Sequence, residues 1–231
     1  MKINEILQED SPNVDSAIRP KLVAQGYEFL GSGVDQEAYL APDGSVLKIF
    51  GTQGNRMSKK QQSFIDFAEY CRANSDNPFL PNIIDFAKFK FNNELYLQIK
   101  MERLFEFSGS YYIAQKLADI AESIEYSKID DPVKWLTGKM NHIESQVAFF
   151  KSQRSIAGKQ QAEIRQRQLD ILNQFVLYLG GEESVRLLFS TITDLKNIAK
   201  RRGYDLDLHD GNFMLGSDGH IVINDPFFVD A

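Results

Sequence analysis

Between residues 27 and 101 the apolar pattern changes period twice, and that alternation limits the folds open to the chain. YEFLGSG, EAYLAP and SVLKIF are short runs rich in aromatic and β-branched residues, and the last two flank Asp43-Gly44, a tight-turn dipeptide. From Met57 to Asn74, Phe64, Ile65, Phe67, Ala68 and Cys71 recur at helical spacing, up to the breakers of NSDNP. NIIDFAKFKF and ELYLQIKM then return to strand character, joined at Asn92-Asn93. Three strands, one helix and two strands, in that order, predict a five-stranded antiparallel sheet with a helix inserted after its third strand.

Beyond residue 105 the register becomes helical. The spacing predicts helices over 111–126, 135–153, 162–179 and 183–202. Gly180-Gly181 separates the last two, and Gly203 stands where a left-handed cap belongs. Two short strands, FMLGS and HIVIND, follow around Asp218-Gly219, and residues 1–20 form a polar leader with a short helix. The expected class is α+β in two parts, 1–104 and 105–231. With 231 residues, 43% of them hydrophobic, the chain can bury one large core or two lobes.

A net charge of −6 argues against a general nucleic-acid surface, because phosphate-backbone affinity needs clustered cations. Residues 151–167 are a local exception, with Lys151, Arg154, Lys159, Arg165 and Arg167 against Glu163. Such a run reads as a solvated helix face, or as a docking site for an acidic partner. Cys71 is the only cysteine, so no disulfide can form within the chain and a reducing compartment fits. The N-terminus lacks the apolar run of a signal peptide, and no stretch of eighteen apolar residues occurs. A cytoplasmic location, without membrane contact, is expected.

The densest chemistry lies in Asp-Leu-Asp-Leu-His-Asp-Gly-Asn, 205–212, followed by Ile-Asn-Asp-Pro-Phe, 223–227. Phosphoryl transfer needs a base beside the attacking hydroxyl, metal ions bridging the phosphates and a lysine holding them. In kinases the base is an Asp, with a metal-binding Asn five positions later and a second metal-binding Asp on the next hairpin. Asp207, Asn212 and Asp225 have those separations. An Asp- and Gly-rich surface turn would account for Asp210-Gly211. It would not account for a helix leading in and two apolar strands leading out.

These segments resemble the protein-kinase and aminoglycoside-phosphotransferase superfamily over roughly 27–104 and 183–230. The Asp-Leu-His-x-Gly-Asn wording of 207–212 is closer to the small-molecule phosphotransferases than to eukaryotic protein kinases. With its small size, the chain is also similar to compact bacteriophage protein kinases, Ser/Thr enzymes that act on host proteins. The resemblance implies a two-lobed protein-kinase-like fold, with a five-stranded antiparallel N-lobe and a reduced, mostly helical C-lobe. It also implies ATP and Mg²⁺ as cofactors, and either a protein substrate in the host cytoplasm or a small hydroxylated molecule. On that pattern Lys48 would hold the α/β-phosphates, and Gly31, Ser32 and Gly33 would form the phosphate loop. Glu69 or Asp66 would pair with Lys48. Met101 would be the gatekeeper, and the main chain of Glu102 and Leu104 would face adenine.

Some features depart from the pattern. Gln36 stands where a third loop glycine belongs, so the loop should close less tightly or be held by side chains. Asp205 replaces the catalytic-loop His of protein kinases. His209 replaces a lysine, and is either a phosphate contact or a structural histidine. The sequence stops six residues after Asp225, so the expectation is that residues 105–180 supply the core and substrate surface, without an activation segment. The functional expectation is an ATP- and Mg²⁺-dependent kinase acting on a hydroxyl, most simply Ser/Thr of a protein. A small-molecule phosphotransferase, a nucleotide-binding pseudokinase and an AMP-transferring enzyme stay open beside it. Oligomeric state is not readable.

Overall fold

A computed structural model describes residues 17–33, 36–51, 57–106 and 131–229. The chain divides into two compact units. The first comprises Met1–Phe105, Tyr204–Asp207 and Leu215–Ala231, and the second Glu106–Gly203 and Leu208–Met214. The predicted helix at 111–126 and most of the polar leader lie outside the described residues.

The first unit begins with helix α1 (Ile18–Ala24) and strands β1 (Glu28–Ser32), β2 (Gln36–Leu40) and β3 (Val46–Gly51). Helix α2 (Lys59–Ala73) and strands β4 (Ile83–Phe91) and β5 (Glu94–Met101) follow. The strands form one antiparallel sheet in the order β1-β2-β3-β5-β4. That is the expected plan of three strands, one helix and two strands. The β4–β5 turn takes the left-handed conformation at both centres, Asn92 (φ 48°) and Asn93 (φ 65°), which Asn tolerates better than most side chains and which matches the strand twist.

Strand β3 is apolar on both faces because both are covered. Leu47 and Ile49 join Tyr39, Tyr96 and Ile18 of α1 in one buried cluster. Phe50 packs its ring 4.5 Å from that of Phe64 on α2. Helix α2 opens with a capping box: Ser58 Oγ accepts from Gln61 N–H at 3.1 Å and Gln61 Oε1 accepts from Ser58 N–H at 2.9 Å. The same Gln61 donates through Nε2 to Gly51 O, so the helix starts against the end of β3.

The C-terminal part of this unit adds strands β6 (Asp205–Leu206), β8 (Ile221–Ile223) and β9 (Phe227–Phe228). Strand β7 (Phe213–Leu215) precedes β8, and the turn between them closes through Gly219 N–H to Gly216 O and Gly216 N–H to His220 O. Both expected short strands therefore form.

The second unit contains helices α3 (Pro132–Ser152), α4 (Ile156–Leu179) and α5 (Glu182–Arg202). Asp131 caps α3 by accepting from Val133 and Lys134 N–H, with Pro132 in the first turn, and its carboxylate also meets Arg186 of α5 at 2.7 Å. The stripe Val185, Leu188, Phe189, Ile192, Leu195 and Ala199 of α5 is buried, and the Trp135 and Phe189 rings lie 6.0 Å apart. Helix α4 starts six residues before its predicted beginning, at the Ser155 cap. The reason is close packing: a side chain on Gly158 would meet Gln153 Cβ at 2.7 Å, so the turn from α3 needs glycine there. Gly203 ends α5 in the left-handed conformation, as expected. No helix among the described residues is long and apolar enough to cross a membrane.

Candidate active site

Lys48 is the one charged residue of β3, and its side chain is only 12% exposed. Its Nζ donates to Asp225 Oδ2 at 3.0 Å and Oδ1 at 3.2 Å, and lies 3.4 Å from Asn224 Oδ1. Asn224 also donates to Asp225 Oδ2. A half-buried ion pair needs such further bonds, because desolvation offsets much of the Coulomb attraction. Strand β8 sets the carboxylate's place: Ile221, Val222 and Ile223 are buried, and Ile223 N–H donates to Phe79 O at 2.9 Å. Asp225 itself has φ 49°, a left-handed conformation that a non-glycine residue holds only where its surroundings impose it.

Asp207 is fixed from the same direction. Its N–H donates to Pro226 O at 2.7 Å, and β6 pairs with β9 through Asp205↔Phe228 and Leu206↔Phe227. The carboxylates of residues 207 and 225 thus sit on chain segments joined by backbone bonds, with Lys48 on the second of them. Tyr204, just before β6, is buried and donates its hydroxyl to Asp66 Oδ2 at 2.9 Å. Its ring lies 5.6 Å from that of Phe227, which is 6.1 Å from Phe67.

The expected pairing of Lys48 with a carboxylate of α2 is not formed. Among the described residues its polar partners are Asn224 and Asp225. Glu69 is exposed, and the buried Asp66 takes Tyr204 on one oxygen and Gln62 Nε2 (2.9 Å) on the other. Asp225 offers Lys48 both its oxygens, and those of Asp66 take Gln62 and Tyr204.

Asn212 is buried in a single 3₁₀ turn, Asp210–Asn212, closed by its N–H to His209 O at 3.0 Å. His209 caps this turn, its Nδ1 accepting from Gly211 N–H at 3.0 Å, so the structural alternative for this histidine has a definite basis. A Cβ on Gly211 would lie 2.8 Å from the imidazole, which would have to turn away from its place on the turn.

In the glycine segment, the β1–β2 register shifts between Phe29 and Gly31, and Gly33 N–H donates to Gln36 O at 2.8 Å. Gln36 Cγ would lie 3.6 Å from a Cβ on Gly33. The residue in the third glycine's place thus closes the strand pair through its backbone carbonyl. Ser32 ends β1, and residues 34–35 lie outside the described ones.

At the end of β5, Met101 is buried. The expectation that Glu102 and Leu104 both face a base is narrowed: Glu102 N–H donates to Asn82 O at 3.0 Å, and its carboxylate accepts from Asn82 N–H at 2.7 Å. Leu104 is half-buried, and Phe105 exchanges two backbone bonds with Leu215, each 2.8 Å.

Sequence reasoning missed Asn224, Asn82 and the Asp66–Tyr204 bond. Only the last had a signal: Asp66 interrupts the buried run Ile65-Phe67-Ala68, where a carboxylate needs a partner.

No protein-family profile matches the chain, and no curated protein does. Among solved structures it is similar to an aminoglycoside phosphotransferase from Alicyclobacillus acidocaldarius subsp. acidocaldarius DSM 446. The identity is 12% over 94% of this chain and 66% of that one, with a TM-score of 0.34. It is also similar to the APH(2")-IIa chain of a streptomycin–ATP ternary complex, at 14% identity over 93% of this chain and 72% of that one, TM-score 0.31. The chain spans just under two thirds of the length of the first of these proteins.

Proposed function

We propose that the chain is an ATP-dependent phosphotransferase that moves the γ-phosphoryl group to a hydroxyl. The observation that carries this reading is the convergence of Lys48 on Asp225, with Asp207 bonded to the residue after it. A cation on a central strand, a carboxylate on a left-handed residue after an apolar strand and a second aspartate bonded through its backbone to the next residue suit a phosphate, a metal ion and an acceptor hydroxyl. In this reading residues 1–104 hold nucleotide and 105–231 carry the catalytic and metal-binding loops. Gly31, Ser32 and Gly33 cover the phosphates, and the Glu102 carbonyl and Leu104 main chain meet the base.

The Asp225 carboxylate offers hard oxygens of the kind Mg²⁺ takes, and a cation, Lys48 Nζ, already stands at it. Asp225 would hold the ion, which would supply charge neutralisation for the phosphates when bound. Lys48 then exchanges Asp225 for phosphate oxygens. Asp207 accepts the proton of the attacking hydroxyl as the new O–P bond forms and the bond to the leaving ADP oxygen breaks. His209 contributes by holding the 3₁₀ turn that carries Asn212.

The acceptor we favour is Ser or Thr of a protein, in a cytoplasmic setting. A small hydroxylated molecule is the second reading, favoured by the Asp-Leu-His-x-Gly-Asn wording of 207–212. Incubation of the purified chain with γ-labelled ATP and Mg²⁺ tests the reaction type. Phosphate on the protein, seen by intact-mass spectrometry, supports it. An AMP adduct would point to nucleotidyl transfer, and nucleotide-induced stabilisation without any turnover would point to a binding module.

A further inference from the structure

Helix α2 directs a carboxylate inward at a position where a helix usually directs hydrocarbon. Asp66 is 6% exposed and Tyr204, its partner, is 7% exposed. A carboxylate so buried is tolerated only when its oxygens are bonded. The Tyr204 hydroxyl and the Gln62 amide do this, each at 2.9 Å. The bond spans 138 positions of sequence. It joins the helix to the residue that precedes β6, and the residue that follows β6 is Asp207.

We infer that Asp66 and Tyr204 are a positioning pair that sets the place of Asp207 from helix α2, and that Asp66 is not the partner of Lys48. This rests on the reading of Asp207 as base. From the Tyr204 hydroxyl to the Asp207 carboxylate there are three backbone steps. The strand between them is held at its far end by Asp207 N–H on Pro226 O, 2.7 Å. At its near end the chain has just left α5 through the left-handed Gly203. Without the hydroxyl bond, the Tyr204 side chain keeps its ring contacts, with Phe227 at 5.6 Å and Lys59 Nζ at 5.8 Å, while the strand keeps its pairing with β9 at Asp205 and Leu206. Neither ring contact fixes rotation as a directional hydrogen bond does. A small misplacement of a base can lower a rate greatly, because proton acceptance needs the acceptor within hydrogen-bond reach.

The test uses the full chain with Mg·ATP. It follows ADP formation, the KM for ATP and hydrogen exchange at the Asp207 amide. Tyr204→Phe removes one oxygen and keeps the ring contacts. Its expected effect is a fall in kcat of about tenfold at unchanged KM, with faster exchange at the Asp207 amide. Asp66→Asn keeps an acceptor for the phenol and removes the charge, and should retain most of kcat and the KM. Asp66→Leu should behave like Tyr204→Phe. The inference is overturned if Tyr204→Phe leaves kcat and amide exchange as in wild type. It is overturned equally if Asp66→Asn raises the KM for ATP, since a partner of Lys48 needs its charge. Wild-type protein that forms no ADP would refute the proposed reaction instead, and exchange at the Asp207 amide would still decide whether the pair holds the strand.

Discussion

Lys48 and Asp225 are 177 positions apart in sequence and 3.0 Å apart at their charged ends. The pairing joins two of the residues that the motif spacing singled out. Lys48→Met should weaken ATP binding on the order of tenfold, the value of one charge-assisted hydrogen bond, as read by titration calorimetry. What the sequence did not disclose at this scale was who pairs with whom. Glu69 was the longer side chain and the natural choice for Lys48, yet it points to solvent, while the shorter Asp66 turns inward to Tyr204. Buried Glu37, bonded to Arg19 and Tyr39, was equally hidden, since its partner on α1 depends on how that helix crosses the sheet. Cys71 shows a further residue-level consequence. Burial, followed by the nearby negative charge of Asp225, raises its thiol far above the ordinary range. The thiolate is therefore suppressed at neutral pH. Ellman's reagent should leave Cys71 unreacted in the native protein and modify it promptly after denaturation; quick native labelling would contradict its place in the core.

Among the elements, strand positions were the most legible. Alternation, the Asp43-Gly44 and Asn92-Asn93 turns and the breakers after α2 each act locally, so reading them needs no tertiary knowledge. Helix starts were less so. Helix α4 begins at Ile156 because Gly158 lets the chain pass Gln153, a steric condition invisible along one dimension. Gly158→Ala should accordingly destabilise the protein by about 1–3 kcal/mol, the usual cost of overpacking, in urea titrations. The α2 capping box offers a second measure. Ser58→Ala removes one side of a reciprocal bond and should cost about 1 kcal/mol, and Ser58→Asp should restore most of it. An unchanged midpoint for Ser58→Ala would show that α2 owes its start to Gln61 on Gly51 instead.

At the scale of the whole molecule, the five-stranded sheet with its inserted helix and the helical α3–α5 unit follow from the order of apolar periods. The return of 204–207 and 215–231 to the first unit follows from something else. These segments pair backbone to backbone, through β6 with β9 and Phe105 with Leu215, and such long-range pairing leaves no periodic trace. That return is what sets Asp207 and Asp225 in the same unit as Lys48. The central claim is that this assembly transfers phosphate with Asp207 as base. Its most direct test compares wild type and Asp207→Ala for two properties, Mg·ATP-induced thermal stabilisation and transfer of label from γ-labelled ATP. The account predicts that Asp207→Ala keeps the stabilisation and loses transfer by on the order of 10²–10⁴-fold. Full transfer activity in Asp207→Ala would contradict it.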